Sequence, residues 1–196
     1  MIDLLTDCES VALSDENLIT DFDCGDNDLN EFFNNDAIHY QNQLLGQTYF
    51  FRTKKAGKIV CAFSLSADSL KTCLLPGSRR KRVKEYIPHE KSLQSYPALL
   101  IGRLGVSIDW SGQGIGSQLI NYIRYFALSK YLYLSRFLVV DAYNNPNVLN
   151  FYRKNDFLFV FSTEQQECEN LQKSYNHLES LPTRQMFYDM IRWNMP

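Results

Sequence analysis

Apolar positions along the chain fall into short runs and into stretches with a helical period. The most organised stretch is 99–128. Its first part, Leu99-Leu-Ile-Gly-Arg-Leu-Gly-Val-Ser107, is short and apolar, lies between Pro97 and Asp109, and predicts a buried strand. Its last part, Gln118 to Leu128, places apolar residues at helical spacing and predicts a helix. Ser111-Gly-Gln-Gly-Ile-Gly-Ser117 joins the two, with three glycines at alternate positions. Glycine lets the backbone approach a ligand closely. The first N–H groups of a helix have no intrahelical partner. Strand, glycine turn and helix in that order therefore make an anion site, suited to a phosphate or pyrophosphate.

The remaining pattern fills in around this stretch. Ile2 to Leu5 is expected to open a sheet. Asp21-Phe-Asp-Cys-Gly25 reads as a turn followed by a capping cluster of Asp and Asn. Leu29, Phe32, Phe33, Ala37 and Tyr40 recur at three- and four-residue steps and predict a helix from about Asp28 to Leu44, ended by Gly46. Thr48–Thr53 and Ile59–Ser66 read as two strands of a hairpin around Lys54–Lys58. Tyr49, Phe51, Val60, Ala62 and Ser64 follow the alternation of a half-covered sheet. Phe137–Asp141 reads as a strand, Asn144–Lys154 as a helix and Phe157–Thr163 as another strand. Glu164–His177 is polar and helix-capable, and Thr183–Ile191 closes the sheet. This is an α/β (α+β) domain with a mixed, mainly antiparallel sheet flanked by helices.

Two phosphate motifs are excluded on the residues. A P-loop needs Lys after its last glycine, and Gly116 is followed by Ser117 and Gln118. A dinucleotide fingerprint needs G-x-G-x-x-G, and the glycines here stand at 112, 114 and 116.

Composition narrows the class. With 196 residues, 45% of them hydrophobic, the chain is read as one domain, 1–196. No apolar run approaches the length of a membrane span, and the N-terminus has no basic, signal-like start, so a cytoplasmic protein is expected. The five cysteines are scattered without a C-x-x-C pair and are expected as free thiols. The three histidines are equally dispersed, and no metal site is expected. A net charge of -2 does not point to nucleic acid, but a local patch matters more than the total. Arg79-Arg-Lys-Arg-Val-Lys84 is such a patch: a solvated face or mobile loop on one reading, a phosphate-backbone contact on the other.

Ser111-Gly112-Gln113-Gly114-Ile115-Gly116 resembles the acetyl-CoA loop of the GNAT superfamily of N-acetyltransferases, Arg/Gln-x-x-Gly-x-Gly/Ala, with Ser111 in place of the first residue. A second motif of that superfamily is matched downstream by Asn145, Leu149, Phe151, Tyr152, Lys154 and Phe157. There Val148 stands for the usual Ala, and Asp156 for a Gly, a mild change because Asp tolerates a left-handed helix end. The resemblance implies a six- to seven-stranded sheet splayed at its centre between the Leu99 and Phe137 strands, with acetyl-CoA in the split. It implies that N–H groups of Gln113, Gly114, Ile115, Gly116 and Ser117 hold the pyrophosphate. It also implies that the backbone of Leu104, Gly105, Val106 and Ser107 pairs with the pantetheine arm. Asn145 is either a further pantetheine contact or a helix N-cap.

The resemblance also assigns Tyr152 as the proton donor to the departing thiolate. A phenol, with an ordinary pKa of about 10, keeps its proton at neutral pH. An N–H of the Leu104–Val106 strand would meet the oxyanion. No general base stands out, with Asp109 and Asp141 in reserve. An α-amine, near 7.7–8.0 even in a free amino group, needs less help than a lysine at about 10.4.

Phe22-Asp-Cys-Gly25, Leu29-Asn, Gln41-Asn-Gln43, Phe63-Ser-Leu65 and Pro97–Val106 narrow the resemblance to the GNAT branch that contains the toxins of type II toxin–antitoxin systems. Those toxins acetylate the α-amine of aminoacyl-tRNA, are usually dimers and pair with a ribbon-helix-helix antitoxin, which the resemblance extends to this chain. Arg79, Arg80, Lys81, Arg82 and Lys84, with Arg103, would then contact tRNA. An acetyltransferase of a small-molecule or protein amine and a non-catalytic acyl-CoA-binding module stay open beside it.

Overall fold

The computed structural model describes residues 2–84, 87, 93–130, 134–171 and 180–191. Seven strands hydrogen-bond in the order β1-β2-β3-β4-β5-β7-β6: β1 Cys8–Ala12, β2 Gln47–Thr53, β3 Ile59–Lys71, β4 Ser95–Val106, β5 Phe137–Tyr143, β6 Leu158–Phe159 and β7 Thr183–Asp189. The pairings β1–β2, β2–β3, β5–β7 and β6–β7 are antiparallel. β4 and β5 run parallel, in register at Ala98–Phe137, Leu99–Leu138 and Leu100–Val139. The register stops there although both strands continue, β4 to Val106 and β5 to Tyr143. The sheet is thus the mixed, mainly antiparallel, open sheet that the motifs imply.

The chain divides into two compact units. One comprises Met1–Ala67 and Ile101–Phe126, the other Asp68–Leu100 and Ala127–Pro196. In the first, the helical stretch begins with α1 Asn27–Glu31, passes through a π-helical turn at Phe32–Asp36 and ends in α2 Ala37–Asn42. Asp26 caps it, its carboxylate accepting the Leu29 N–H at 3.1 Å. Phe32, Phe33 and Ala37 pack with Leu13, Ile19, Phe22, Phe50 and Ala62 into one core. The extra residue of the π turn changes which side chains share a face. Asn30 and Asn34 both reach back to the 22–25 turn. Asn34 accepts the Phe22 N–H at 2.9 Å and donates to the Phe22 carbonyl at 2.8 Å. Asn30 accepts the Cys24 N–H and donates to Asp23, each at 2.8 Å.

Four expectations need correction in this unit. Residues 2–5 are not a strand. Asp3 accepts the N–H groups of Leu5 and Thr6, each at 2.9 Å, which folds a turn, and the sheet opens at Cys8. The long helix is broken in character by its π turn. Its last helical residue is Asn42, and Leu44 just beyond it adopts φ 59° and is 93% exposed; Gly46 does not end the helix but lies close against the Leu65 carbonyl. Finally, β2 and β3 are not half-covered, since Tyr49 to Phe51 and Val60 to Leu65 are buried without alternation.

In the second unit, Leu70, Leu75, Tyr96, Phe137, Val139, Phe161 and Phe187 form the core, and Val83 of α3 Gly77–Lys84 joins it. The basic run is therefore an ordered helix, where a solvated face or mobile loop was one expectation. Arg79 donates to the carbonyls of Phe159 and Phe161. Arg80 donates to those of Thr72, Cys73 and Leu75 at 3.1, 2.8 and 3.0 Å. Arg136 binds Asp189 through two nitrogens, at 2.9 and 2.7 Å, and donates to the Val83 carbonyl at 3.0 Å, closing the helix's far end.

The strand expected over 157–163 is reduced to β6, and β7 lies between β5 and β6 rather than closing the sheet. The helix expected over 164–177 is α6 Glu164–Asn170; residues 172–177 lie outside the described residues. Its Glu167 is buried because Arg184 donates to it at 2.6 Å and the Gln185 N–H at 2.7 Å. Arg184 also lies 4.9 Å from the centre of the Phe159 ring.

Removing Glu167 takes away the close partner of the buried Arg184 and leaves it only Glu164, 3.9 Å away. Glu167→Ala is expected to cost about 3–5 kcal/mol, read as a lower urea midpoint at unchanged slope. A loss under about 1 kcal/mol, the worth of an exposed pair, would mean that Arg184 is not held as described.

Candidate active site

The glycine turn has the geometry its spacing asks for. Gly112 and Gly114 adopt φ 74° and 80°, values a side chain rarely takes, and a Cβ on either would meet nothing within 4 Å. The backbone there is open to a ligand. α4, Ile115–Lys130, starts immediately after. The bond from the Gln118 N–H to the Gly114 carbonyl, 3.2 Å, is the first of its backbone ladder, so the N–H groups of Ile115 and Gly116 come before it. Gly116 is helical, and the positive angles belong to the first and second glycines. Gln113 donates from its amide to the Asp109 carbonyl at 3.4 Å, tying the turn to the short helix Ile108–Trp110. The indole N–H of Trp110 is buried and has no partner among the described residues. Its spacing from the glycines gave no signal of that.

β4 enters this turn from the other side. The Ser107 N–H bonds the Val60 carbonyl at 2.9 Å and the Ile108 N–H bonds that of Asp23 at 2.9 Å. Backbone groups alternate in direction along a strand, so the N–H of Val106 points to the opposite edge, and that of Leu104 with it. Gly105 is pressed by the turn that Asn30 and Asn34 hold. A Cβ there would lie 3.1 Å from the Phe22 ring and 3.3 Å from the Cys24 sulfur. Arg103 lies against α1, with its Nε 4.0 Å from Asp28 and its guanidinium 5.2 Å from the Phe32 ring centre.

The second motif lies in the other compact unit, on α5 Pro146–Lys154. Asn145 is the N-cap, its side-chain oxygen accepting the Val148 N–H at 2.9 Å. Of the two roles open to Asn145, the cap is the one seen here. Asn144 holds the same turn, donating to Glu164 at 3.0 Å and to the Leu181 carbonyl at 2.8 Å. Asp156 takes φ 60°, the left-handed end expected where the family pattern has Gly. Tyr152 is 6% exposed and stacks edge-on between Phe151 and Phe157, at 5.0 and 5.3 Å. Burial pushes its phenol well above the usual value, so it is protonated at every physiological pH.

Asp141 stands on β5 past the last residue paired with β4. Burial first, then the charges of Asp68 and Glu167, push its carboxyl up, against a hydrogen bond from Gln185. Asp109 is exposed.

Of the basic cluster, Arg79 and Arg80 are committed to carbonyls, Lys81 is exposed and Lys84 half-buried; the Arg82 side chain lies outside what is described. Each cysteine is a free thiol, as expected. Among the described residues no group of three His, Cys, Asp or Glu could hold a metal, and no helix is long and apolar enough to cross a membrane.

Residues 79–157, which contain the glycine turn and Tyr152, match the family model of the acetyltransferase (GNAT) domain. Over 96% of its length the chain is similar in fold to AtaT complexed with acetyl-methionyl-tRNAfMet, covering 98% of that chain at 19% identity with a TM-score of 0.72. Its fold is also similar to AtaTR bound with AcCoA, 96% of each chain at 18% identity and TM-score 0.64. A third similar structure is an AtaT mutant toxin bound to the C-terminus of the antitoxin AtaR, 96% of each chain at 15% identity and TM-score 0.62.

The state of Tyr152 can be measured directly. An ultraviolet phenolate titration of the wild type minus that of Tyr152→Phe is expected to be flat through pH 10, where an ordinary tyrosine is half ionised. A difference signal with a midpoint near 10 would contradict the burial.

Proposed function

We propose that the chain is an acetyl-CoA-dependent N-acetyltransferase, with 1–196 as one domain, that acetylates the α-amine of aminoacyl-tRNA in the cytoplasm. The observation that carries the acetyl-CoA part is the open backbone of Gly112 and Gly114 at the start of α4. This cradle fits a pyrophosphate because its donors are backbone N–H groups and no side chain fills it. In this reading Gln113 to Ser117 hold the pyrophosphate, and Leu104 to Val106 offer their outward backbone edge to the pantetheine arm.

Bound acetyl-CoA supplies an acetyl group on a thioester, which an amine takes as the thiolate leaves. The N–H groups of Leu104 and Val106 donate to the oxygen that gains charge. Tyr152 Oη donates its proton to the sulfur, and its burial keeps that proton available. Asn145, Asn144 and Asp156 hold the two ends of the helix that carries it. The α-amine attacks in its neutral form, half populated near pH 7.7–8.0, so little help from a base is needed; the proton its nitrogen sheds as the amide forms passes to solvent, and solvent returns one to Tyr152.

Two observations support the acceptor. One is the similarity to AtaT complexed with acetyl-methionyl-tRNAfMet. The other is α3, which presents Lys81 and Lys84 from a helix anchored at both ends. The similarity to AtaT bound to its antitoxin supports an antitoxin partner, of the ribbon-helix-helix class by the motif resemblance.

Transfer of labelled acetyl from acetyl-CoA to a pool of aminoacyl-tRNAs is expected to be measurable and to rise from pH 6 to 8 with the amine. It is not expected to fall before pH 10, since Tyr152 stays protonated. Tyr152→Phe is expected to slow it by about 10²–10⁴. Label on a lysine or a small amine in place of tRNA would move the acceptor to another class. Normal turnover in the variant would remove Tyr152 from the chemistry.

A further inference from the structure

The second compact unit holds a wide-mouthed pocket of about 480 Å³ that none of the chemistry above uses. Its size lies within the range of small-ligand pockets, about 300–1,000 Å³. One wall is the start of α3 with the loop before it, the other is Phe161 with the outer face of α6. Three kinds of group meet in it. Leu74 and Pro76, both half-buried, supply apolar surface, with the buried Leu75 and Phe161 behind them. Gln166, Glu169 and Asn170 supply amide and carboxylate edges. Arg80 supplies a charge.

That charge is fixed in place. Three backbone carbonyls hold the guanidinium, and among the described residues no carboxylate lies within ion-pair distance of it. Lys81, next to it, is exposed and has no carboxylate within ion-pair distance among the described residues. The polar edges are only partly engaged. Gln166 accepts the Ser162 N–H at 3.2 Å through its oxygen, which leaves its NH₂ donors. Glu169 accepts from Gln165 at 2.9 Å through one oxygen, which leaves the other. The Asn170 amide has no partner among the described residues.

We propose that this pocket takes one unpaired nucleotide of the acceptor RNA, an inference that rests on the aminoacyl-tRNA reading. Sequence-specific RNA recognition works on splayed bases, whose faces meet apolar or aromatic surface and whose edges meet hydrogen-bonding side chains. A phosphate needs positive charge, and it positions the strand without reading it. Apolar wall, amide and carboxylate edge, and fixed guanidinium supply those three needs side by side. A carboxylate such as Glu169 accepts from exocyclic amino groups, so the base preferred is one that carries an amino group, as adenine, cytosine and guanine do and uracil does not.

The test uses the full chain and fluorescein-labelled tetranucleotides of A, C, G and U, with binding read by fluorescence anisotropy at low salt. One of the amino-bearing oligomers is expected to bind at least about tenfold tighter than U, a step of about 1.4 kcal/mol. Gln166→Ala with Asn170→Ala is expected to erase that preference, while Lys81→Ala weakens all four alike. On aminoacyl-tRNA the double variant is expected to raise KM about tenfold with kcat unchanged, and the KM for acetyl-CoA is expected to stay put. Equal binding of the four oligomers, or a preference untouched by the double variant, would overturn the pocket assignment. So would displacement of a bound oligomer by peptide alone. Acetylation of aminoacyl-tRNA without base preference sinks the pocket and leaves the function. Base preference without acetylation sinks the function and leaves the pocket as an RNA site.

Discussion

The turn from β4 into α4 is the constraint on which the rest depends. A strand must stop, the backbone must stay uncovered, and a helix must start within a few residues. Two glycines at φ 74° and 80° allow it, because any side chain there would take a left-handed conformation at a cost of roughly 1–2 kcal/mol. The elements around the turn can be understood as its supports. Val60 and Asp23 accept the N–H groups of Ser107 and Ile108, which fixes where β4 ends. The 22–25 turn, held by Asn30 and Asn34, closes on Gly105 from one side, where a Cβ would lie only 3.1 Å from the Phe22 ring. Gln118, on α4, accepts the Leu4 N–H at 2.9 Å and so ties the chain's start to the helix.

The second unit shows the same economy at a different site. α5 carries Tyr152, and each of its ends is closed by a named group. Asn145 caps the start, Asn144 and Glu164 hold the turn before it, and Asp156 takes the left-handed conformation after it. A buried phenol raised by desolvation keeps its proton, the state a donor to a thiolate needs. Burial and helix ends thus do for Tyr152 what glycine conformation does for the cradle.

Where a local rule decides the structure, it was legible in the residues. The three alternate glycines announced a strand–turn–helix, Asp156 a left-handed helix end, and Lys54–Lys58 a hairpin. The two motifs carried the fold, including a sheet whose β4–β5 register stops at Leu100 and Val139. What stayed hidden depends on partners distant in sequence. Arg79 and Arg80 read as surface charge because nothing local reveals the carbonyls of Phe159, Phe161 and Thr72 that they bond. Glu167 sits in a polar stretch, yet Arg184 makes it a core residue. The period of Phe32, Phe33 and Ala37 gave the helix but not its π turn, which the Asn30 and Asn34 bonds accompany. Asp3 bent a hydrophobic start away from the sheet, and Trp110 offered no cue that its indole N–H would be buried without a partner.

The central claim is that the Gly112–Gly114 turn holds a pyrophosphate. Calorimetric titration with acetyl-CoA and with S-acetylpantetheine, which lacks the pyrophosphate, tests it most directly, in the wild type and in Gly114→Val. The account predicts that the wild type prefers acetyl-CoA by at least about a hundredfold, or roughly 2.8 kcal/mol, and that Gly114→Val loses most of that preference while remaining folded. Equal affinity of the wild type for both thioesters, or a preference that survives in the variant, would contradict it.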